Sequence, residues 1–124
     1  MSELNQSDKS NEVITCYRPT GEKELELVIE SGYSLWPPRL PEQPIFYPVT
    51  NEEYAIELTR WNVTDFGAGY VTVFDVRKAF MDRYPIKCVG AKHHTEWWVP
   101  AEELEELNAN IVGKIRVIGE YRSK

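Results

Sequence analysis

Arg18, Tyr47, Thr50 and Glu96 are the residues of this chain whose types and placement could do chemistry. Arg18 stands at the end of the first extended run, Tyr47 and Thr50 at the second extended run and the helix after it, and Glu96 opens a late extended run beside Trp97 and Trp98. Each is separated from the next by whole structural elements, so only the fold can bring them together. A guanidinium matches phosphate through two parallel hydrogen bonds, an aromatic ring stacks on a flat heterocycle, and a carboxylate accepts a hydrogen bond from a sugar hydroxyl. The set therefore suits a ligand that carries a phosphate, a flat ring and a sugar.

Those residues must be positioned by elements that the hydropathy pattern outlines. Val13 to Tyr17 is a β-branched and aromatic run that reads as a strand stopped by Pro19 and Gly21. From Glu22 to Glu30 the apolar residues Leu25, Val28 and Ile29 fall at helical spacing, with Gly32 placed to close the helix in a left-handed conformation. Leu35 to Pro48 is rich in proline, which excludes helix and makes a stiff segment, and its part from Trp36 to Pro44 is either a lid over a cleft or ordinary packing. Ile45 to Val49 follows as a strand. Thr50 is then expected to cap a helix in a capping box with Glu53, its buried face marked by Tyr54, Ala55, Leu58 and Trp61.

After a turn through Asp65, Gly67 and Gly69, Tyr70 to Phe74 reads as an alternating strand, and Asp75 as the cap of a short helical stretch ended by Pro85. Ile86 to Val89 and Glu96 to Val99 read as strands. In the second of these Trp97 and Trp98 face opposite ways, one toward the core and the other toward a cleft or partner surface. Pro100 starts a helix that turns Leu104 and Leu107 inward, and Ile111 to Ile118 forms the last strand. The expected fold class is α+β, with short helices over a twisted, mostly antiparallel sheet. Residues 1–11 are polar and read as a disordered tail, leaving one domain over residues 12–121. In one arrangement of that sheet the three key strands lie together and form a single cleft.

The 124 residues fit one domain, and 42% hydrophobic with 27% charged residues is enough to fold alone. Fourteen Lys and Arg against 20 Asp and Glu give a net charge of -6 with no basic run, so nucleic acid is an unlikely partner. Nothing approaches the roughly 20 apolar residues of a membrane span, and Met1 to Asn11 do not resemble a leader, so a cytoplasmic protein without membrane attachment is expected. Cys16 and Cys88 read as buried free thiols in a reducing compartment. Glycine-rich phosphate loops, serine elbows and Cys-x-x-Cys pairs are absent. His93 and His94 would point apart on a strand, read as exposed turn residues, and no metal is expected.

Four segments, Cys-Tyr-Arg-Pro-Thr from Cys16, Glu-Leu-Glu-Leu-Val-Ile-Glu-Ser-Gly from Glu24, Pro-Ile-Phe-Tyr-Pro-Val-Thr-Asn-Glu-Glu-Tyr-Ala from Pro44 and Thr-Glu-Trp-Trp-Val-Pro-Ala-Glu-Glu-Leu from Thr95, carry a resemblance. Together they resemble the ADP-ribosyltransferase fold and the short bacterial proteins known as "ADP-ribosylation/crystallin J1". The resemblance implies NAD as substrate, no metal, Arg18 holding the dinucleotide and Glu96 as the catalytic group at the nicotinamide-ribose hydroxyl. It assigns the nicotinamide side to Tyr47, Thr50 or Tyr54, and Trp98 joins these as a candidate ligand contact. His94 stands two residues before Glu96, where arginine-modifying toxins carry an acid, so a target-protein arginine is the least expected acceptor. Two functions follow: an NAD-cleaving transferase, or a module of the same fold that binds a nucleotide or a protein partner without turnover.

Overall fold

The computed structural model of the protein describes residues 12–122. The expected tail over residues 1–11 lies outside them. Seven strands and four short α-helices follow in the order β1 (Val13–Thr20), α1 (Glu22–Glu30), β2 (Ile45–Phe46), α2 (Glu52–Phe66), β3 (Ala68–Arg77), α3 (Lys78–Met81), β4 (Ile86–Cys88), β5 (Thr95–Trp97), β6 (Val99–Pro100), α4 (Leu104–Ala109) and β7 (Ile111–Arg122). All strand pairings are antiparallel: β1-β3-β7 form a three-stranded sheet, and β2-β6 and β4-β5 are two-stranded. The fold is mixed α and β with antiparallel sheets and a few short helices, as the pattern of alternating elements predicts.

Strand β3 lies at the centre of the larger sheet and is covered on both faces. Phe74 and Val76 enter the main core with Trp36, Phe46, Trp97 and Leu107, whereas Val71 joins Val49, Tyr54 and Ala55. Residues 68–74 are all buried, so the inside-outside alternation expected for Tyr70 to Phe74 is absent. Asp75 also belongs to this strand, where it accepts a hydrogen bond from Thr15 Oγ1 at 2.8 Å, and does not cap the helix that follows. Helix α2 packs so close to β3 that a Cβ on Gly69 would stand 2.8 Å from Thr59 Cγ2. Gly67 ends the helix in the left-handed region at φ 83°, which a residue lacking Cβ adopts at least cost.

Several boundaries differ from the sequence reading for identifiable reasons. Strand β1 runs through Pro19 to Thr20, because this strand has a ladder only on the β3 side along most of its length and an edge strand tolerates a missing N–H. Arg18 is consequently inside the strand and on the same face as buried Cys16. The cap of α2 is Asn51, whose side chain accepts the Tyr54 N–H at 2.8 Å, and Thr50 lies one residue too early for that role. Trp61 and Ile29, expected to be buried, are 57% and 45% exposed. Cys16 is buried and Cys88 exposed, so only one of the two thiols fits the core reading.

The proline-rich segment is pinned by packing. Trp36 is buried against Phe46 and Phe74, and its backbone exchanges two hydrogen bonds of 2.9 Å with the Asn108 side chain. Pro44 and Pro48 accept backbone hydrogen bonds from Ala101 and Trp97, which holds both ends of β2.

A cleft at the junction of two sheets

The candidate site is assembled by Val49. Its N–H and C=O exchange hydrogen bonds with Tyr17 at 2.7 and 2.9 Å, and it also forms an antiparallel bridge with Glu96. Two flanking bonds, Trp97 N–H to Pro48 O at 2.9 Å and Thr50 N–H to Thr95 O at 3.1 Å, complete the join. The segment Pro48 to Thr50 therefore lies between β1 and β5, and it ties together the strands that carry Arg18 and Glu96. A cleft of about 580 Å³ opens there, lined by Arg18, Glu24, Tyr47, Tyr54, Glu96 and Trp98 among others.

Five of the six residues singled out in the sequence thus border one cavity. Thr50 does not border it. Its hydroxyl pairs with that of Thr95, and Asn51 Nδ2 donates to it at 3.1 Å, so Thr50 braces the junction between the strands. Of Tyr47, Thr50 and Tyr54, the first and the last line the cleft.

Glu96 is 8% exposed, and each of its oxygens has one neutral donor. Tyr54 donates its hydroxyl to Oε1 at 2.9 Å, and the Trp98 indole N–H donates to Oε2 at 2.7 Å. Burial, and then the Glu96 carboxylate it faces, push the Tyr54 phenol up to about 12, so the phenol keeps its proton and remains a donor at neutral pH. Trp98 is 41% exposed, sits edge-on to Tyr47 with ring centroids 6.2 Å apart, and has the Lys87 ammonium 5.0 Å from its ring centroid. Trp97 turns the other way into the core, as strand alternation requires.

Arg18 is equally buried at 8% exposure and is held by an acid that the sequence reading missed. Nε and Nη2 donate to Glu24 Oε2 and Oε1 at 2.9 and 3.0 Å, a two-pronged pair, and Nη1 reaches the Tyr47 carbonyl at 3.4 Å. The guanidinium carbon stands 4.4 Å from the Phe46 ring centroid. Glu24 lies in the first turn of α1, directly after the strand that carries Arg18. Its acid type at a helix N-terminus is common enough to be read as solvated, so spacing alone did not mark it.

Beside the cleft, Glu57 of α2 holds both histidines. His93 Nε2 bonds one carboxylate oxygen, and His94 Nε2 bonds the other at 2.8 Å. The two rings converge because residues 91–94 form a turn closed by the His94 N–H to Ala91 O bond, so the opposite-face geometry of an extended pair does not apply. These three side chains could approach one metal ion. However, His94 Nδ1 accepts the Ala91 N–H at 3.0 Å, which places the ring proton on Nε2, the atom that would have to coordinate. The arrangement is better suited to hydrogen bonding: His94 stacks on Tyr54 with centroids 4.6 Å apart and 23° between planes, and so supports the phenol that contacts Glu96.

No helix among the described residues is long and apolar enough to cross a membrane. Searches of protein-family models, curated proteins and solved structures gave no match to this chain.

Proposed function

We propose that the cleft binds NAD and that the protein is an ADP-ribosyltransferase-type domain able to cleave the nicotinamide-ribose bond. The observation that carries this reading is the double pairing of Val49 with Tyr17 and Glu96, which puts a buried guanidinium and a buried carboxylate into one cavity with two aromatic walls. In this reading Arg18 takes a phosphate, Tyr47 and Trp98 pack on the flat rings, and Glu96 faces the nicotinamide ribose. Breaking the bond to nicotinamide builds positive charge on the sugar, and a fixed carboxylate lowers the barrier by stabilising that charge. Glu96 is suited to this because Tyr54 and Trp98 fix both oxygens and, among the described residues, it has no ion-pair partner. The resemblance of the four sequence segments to the ADP-ribosyltransferase fold adds to this reading.

The same contacts favour a second reading, a binding module of this fold without turnover. Glu24 already occupies the Arg18 guanidinium, and both Glu96 oxygens are engaged within the protein.

One experiment separates the two. The protein is titrated with NAD while tryptophan fluorescence, dominated at the cleft by Trp98, and free nicotinamide are followed together. Saturation with nicotinamide release supports the transferase, and saturation without release supports the module. No response at millimolar NAD, at the weak end of useful affinity, removes the dinucleotide from both.

A further inference from the structure

Arg39 lies on the proline-rich segment and takes no part in the site as described above. Its guanidinium carbon is 5.8 Å from the centroid of the same Phe46 ring that Arg18 covers at 4.4 Å. Together these distances keep the two guanidinium carbons within about 10 Å of each other. Arg39 has no ion pair among the described residues, and its Nε is buried without a hydrogen-bond partner. Burial, and then the neighbouring Arg18 charge, lower its proton affinity, while the Glu24 carboxylate acts the other way; Arg18 and Glu24 both line the cleft. A second cavity of about 370 Å³ is lined by Arg39, Lys23 and Glu24, so Glu24 borders both cavities.

The charge here runs against that of the molecule. The chain carries a net charge of -6, yet Lys23 and Arg39 line a cavity whose one carboxylate, Glu24, is already paired with Arg18. A buried guanidinium nitrogen without an acceptor costs free energy unless a ligand supplies one. Each guanidinium reaches a phosphate oxygen through a bond of about 2.8 Å, so two linked phosphates can span from one arginine to the other.

We propose that Arg39, assisted by Lys23, is a second anion subsite next to Arg18, and that the two arginines together select a ligand with a diphosphate over one with a single phosphate. This rests on the reading of the cleft as a nucleotide site and deepens it. Glu24 stands in the diphosphate's place on Arg18 and yields that position when the ligand enters.

Calorimetric titration tests this with three probes, inorganic pyrophosphate, orthophosphate and ADP-ribose, on the unmodified protein, Arg39→Gln and Arg39→Lys. Arg39 is partly buried on a segment anchored by Trp36, and circular dichroism verifies that the variants fold. The expected result is that Arg39→Gln weakens pyrophosphate and ADP-ribose about tenfold while orthophosphate changes much less, with Arg39→Lys in between. Unchanged ADP-ribose affinity in Arg39→Gln overturns the subsite and leaves the nucleotide reading intact. Pyrophosphate binding that depends on Arg39, with no binding of ADP-ribose or NAD, keeps the subsite and removes the nucleotide reading. Failure of the unmodified protein to bind either pyrophosphate or ADP-ribose overturns both.

Discussion

Tyr54 and Glu96 meet through a hydrogen bond of 2.9 Å in the lining of the cleft, each less than a tenth exposed. The phenol is fixed by stacking on His94 of the turn before β5, and the carboxylate by the indole of Trp98 just after it. A helix residue and a strand residue are thereby locked to each other, and most of what the site can do depends on that pair.

Glu96→Gln keeps the shape of the side chain but replaces one acceptor oxygen with an amide that cannot accept. The amide oxygen then serves the Trp98 N–H, which can only donate, and the Tyr54 hydroxyl turns to accept from the new amide N–H. If the protein cleaves NAD, nicotinamide release is expected to fall by about 100-fold or more, the scale seen when one preorganised electrostatic group is removed. A steady-state nicotinamide assay beside an NAD binding curve checks this, and a loss of binding equal to the loss of rate argues against a role confined to the transition state.

Tyr54→Phe deletes a donor and leaves Glu96 Oε1 buried without its partner. A loss of about 1 to 2 kcal/mol in stability is expected by urea unfolding at neutral pH. The same variant alters the alkaline limb. The folded-state value of Tyr54 is raised to about 12 from 10.0, so the folded protein holds this proton more tightly than the unfolded chain. Its contribution is complete below pH 10 and fades as pH climbs toward 12. Unfolding series from pH 9 to 11 should show a shallower alkaline decline for Tyr54→Phe than for the unmodified protein.

His93 is raised above its ordinary value of 6.5, chiefly by its hydrogen bond to Glu57, while Glu57 is lowered by the two histidines. The His93 contribution is present below 6.5 and lost as pH rises through the folded value; that of Glu57 is present above 4.5 and lost as pH falls. Proton NMR titration of the imidazole resonances should find the His93 midpoint above 6.5, and Glu57→Gln should bring it down. An unmoved midpoint in that variant contradicts the assigned cause.

Gly69→Ala forces a methyl group to 2.8 Å from Thr59 Cγ2, where the helix and the central strand touch. Overpacking of this kind is expected to cost about 1 to 3 kcal/mol. Thr59→Ser removes that methyl while keeping the hydroxyl that donates to Ala55 O at 2.7 Å, so adding it to Gly69→Ala should recover part of the loss. Thermal unfolding of the two singles and the double separates this contact from any general effect of losing glycine.

Much of this arrangement was legible in the chain because it depends on local pattern. The helix over Glu22–Glu30, the left-handed Gly32 and the split of Trp97 and Trp98 between core and cleft all follow from periodicity and from the conformational freedom of glycine. Arg18, Tyr47, Thr50 and Glu96 stood out as unusual side chains near element ends; three of them border the cleft together with Tyr54 and Trp98, which entered with the resemblance, while Thr50 pairs with Thr95 instead. What escaped depends on contacts made across the fold. The alternation expected in β3 failed because α2 covers its second face, and Asn51 displaced Thr50 as cap because the helix begins one residue later. Glu24 and Arg39 were missed for a similar reason. Nothing in the sequence indicates that an acid in an ordinary first helical turn faces Arg18, or that a residue in the proline-rich stretch shares the Phe46 ring with it.

The position of Val49 also governs when the cleft can exist during folding. Its two backbone partners, Tyr17 and Glu96, lie far from it in opposite directions along the chain, so the loop-closure entropy of both halves must be overcome before the junction forms. A chain halted before β5 retains Arg18 and Tyr47 but lacks both Glu96 and the strand that pairs with Val49. The Val49 amide, hydrogen-bonded in a residue 1% exposed, is accordingly expected to exchange with deuterium only through global opening, at the rate of the slowest core amides of β3. Exchange at that rate would mean that the cleft assembles and dissolves with the whole molecule.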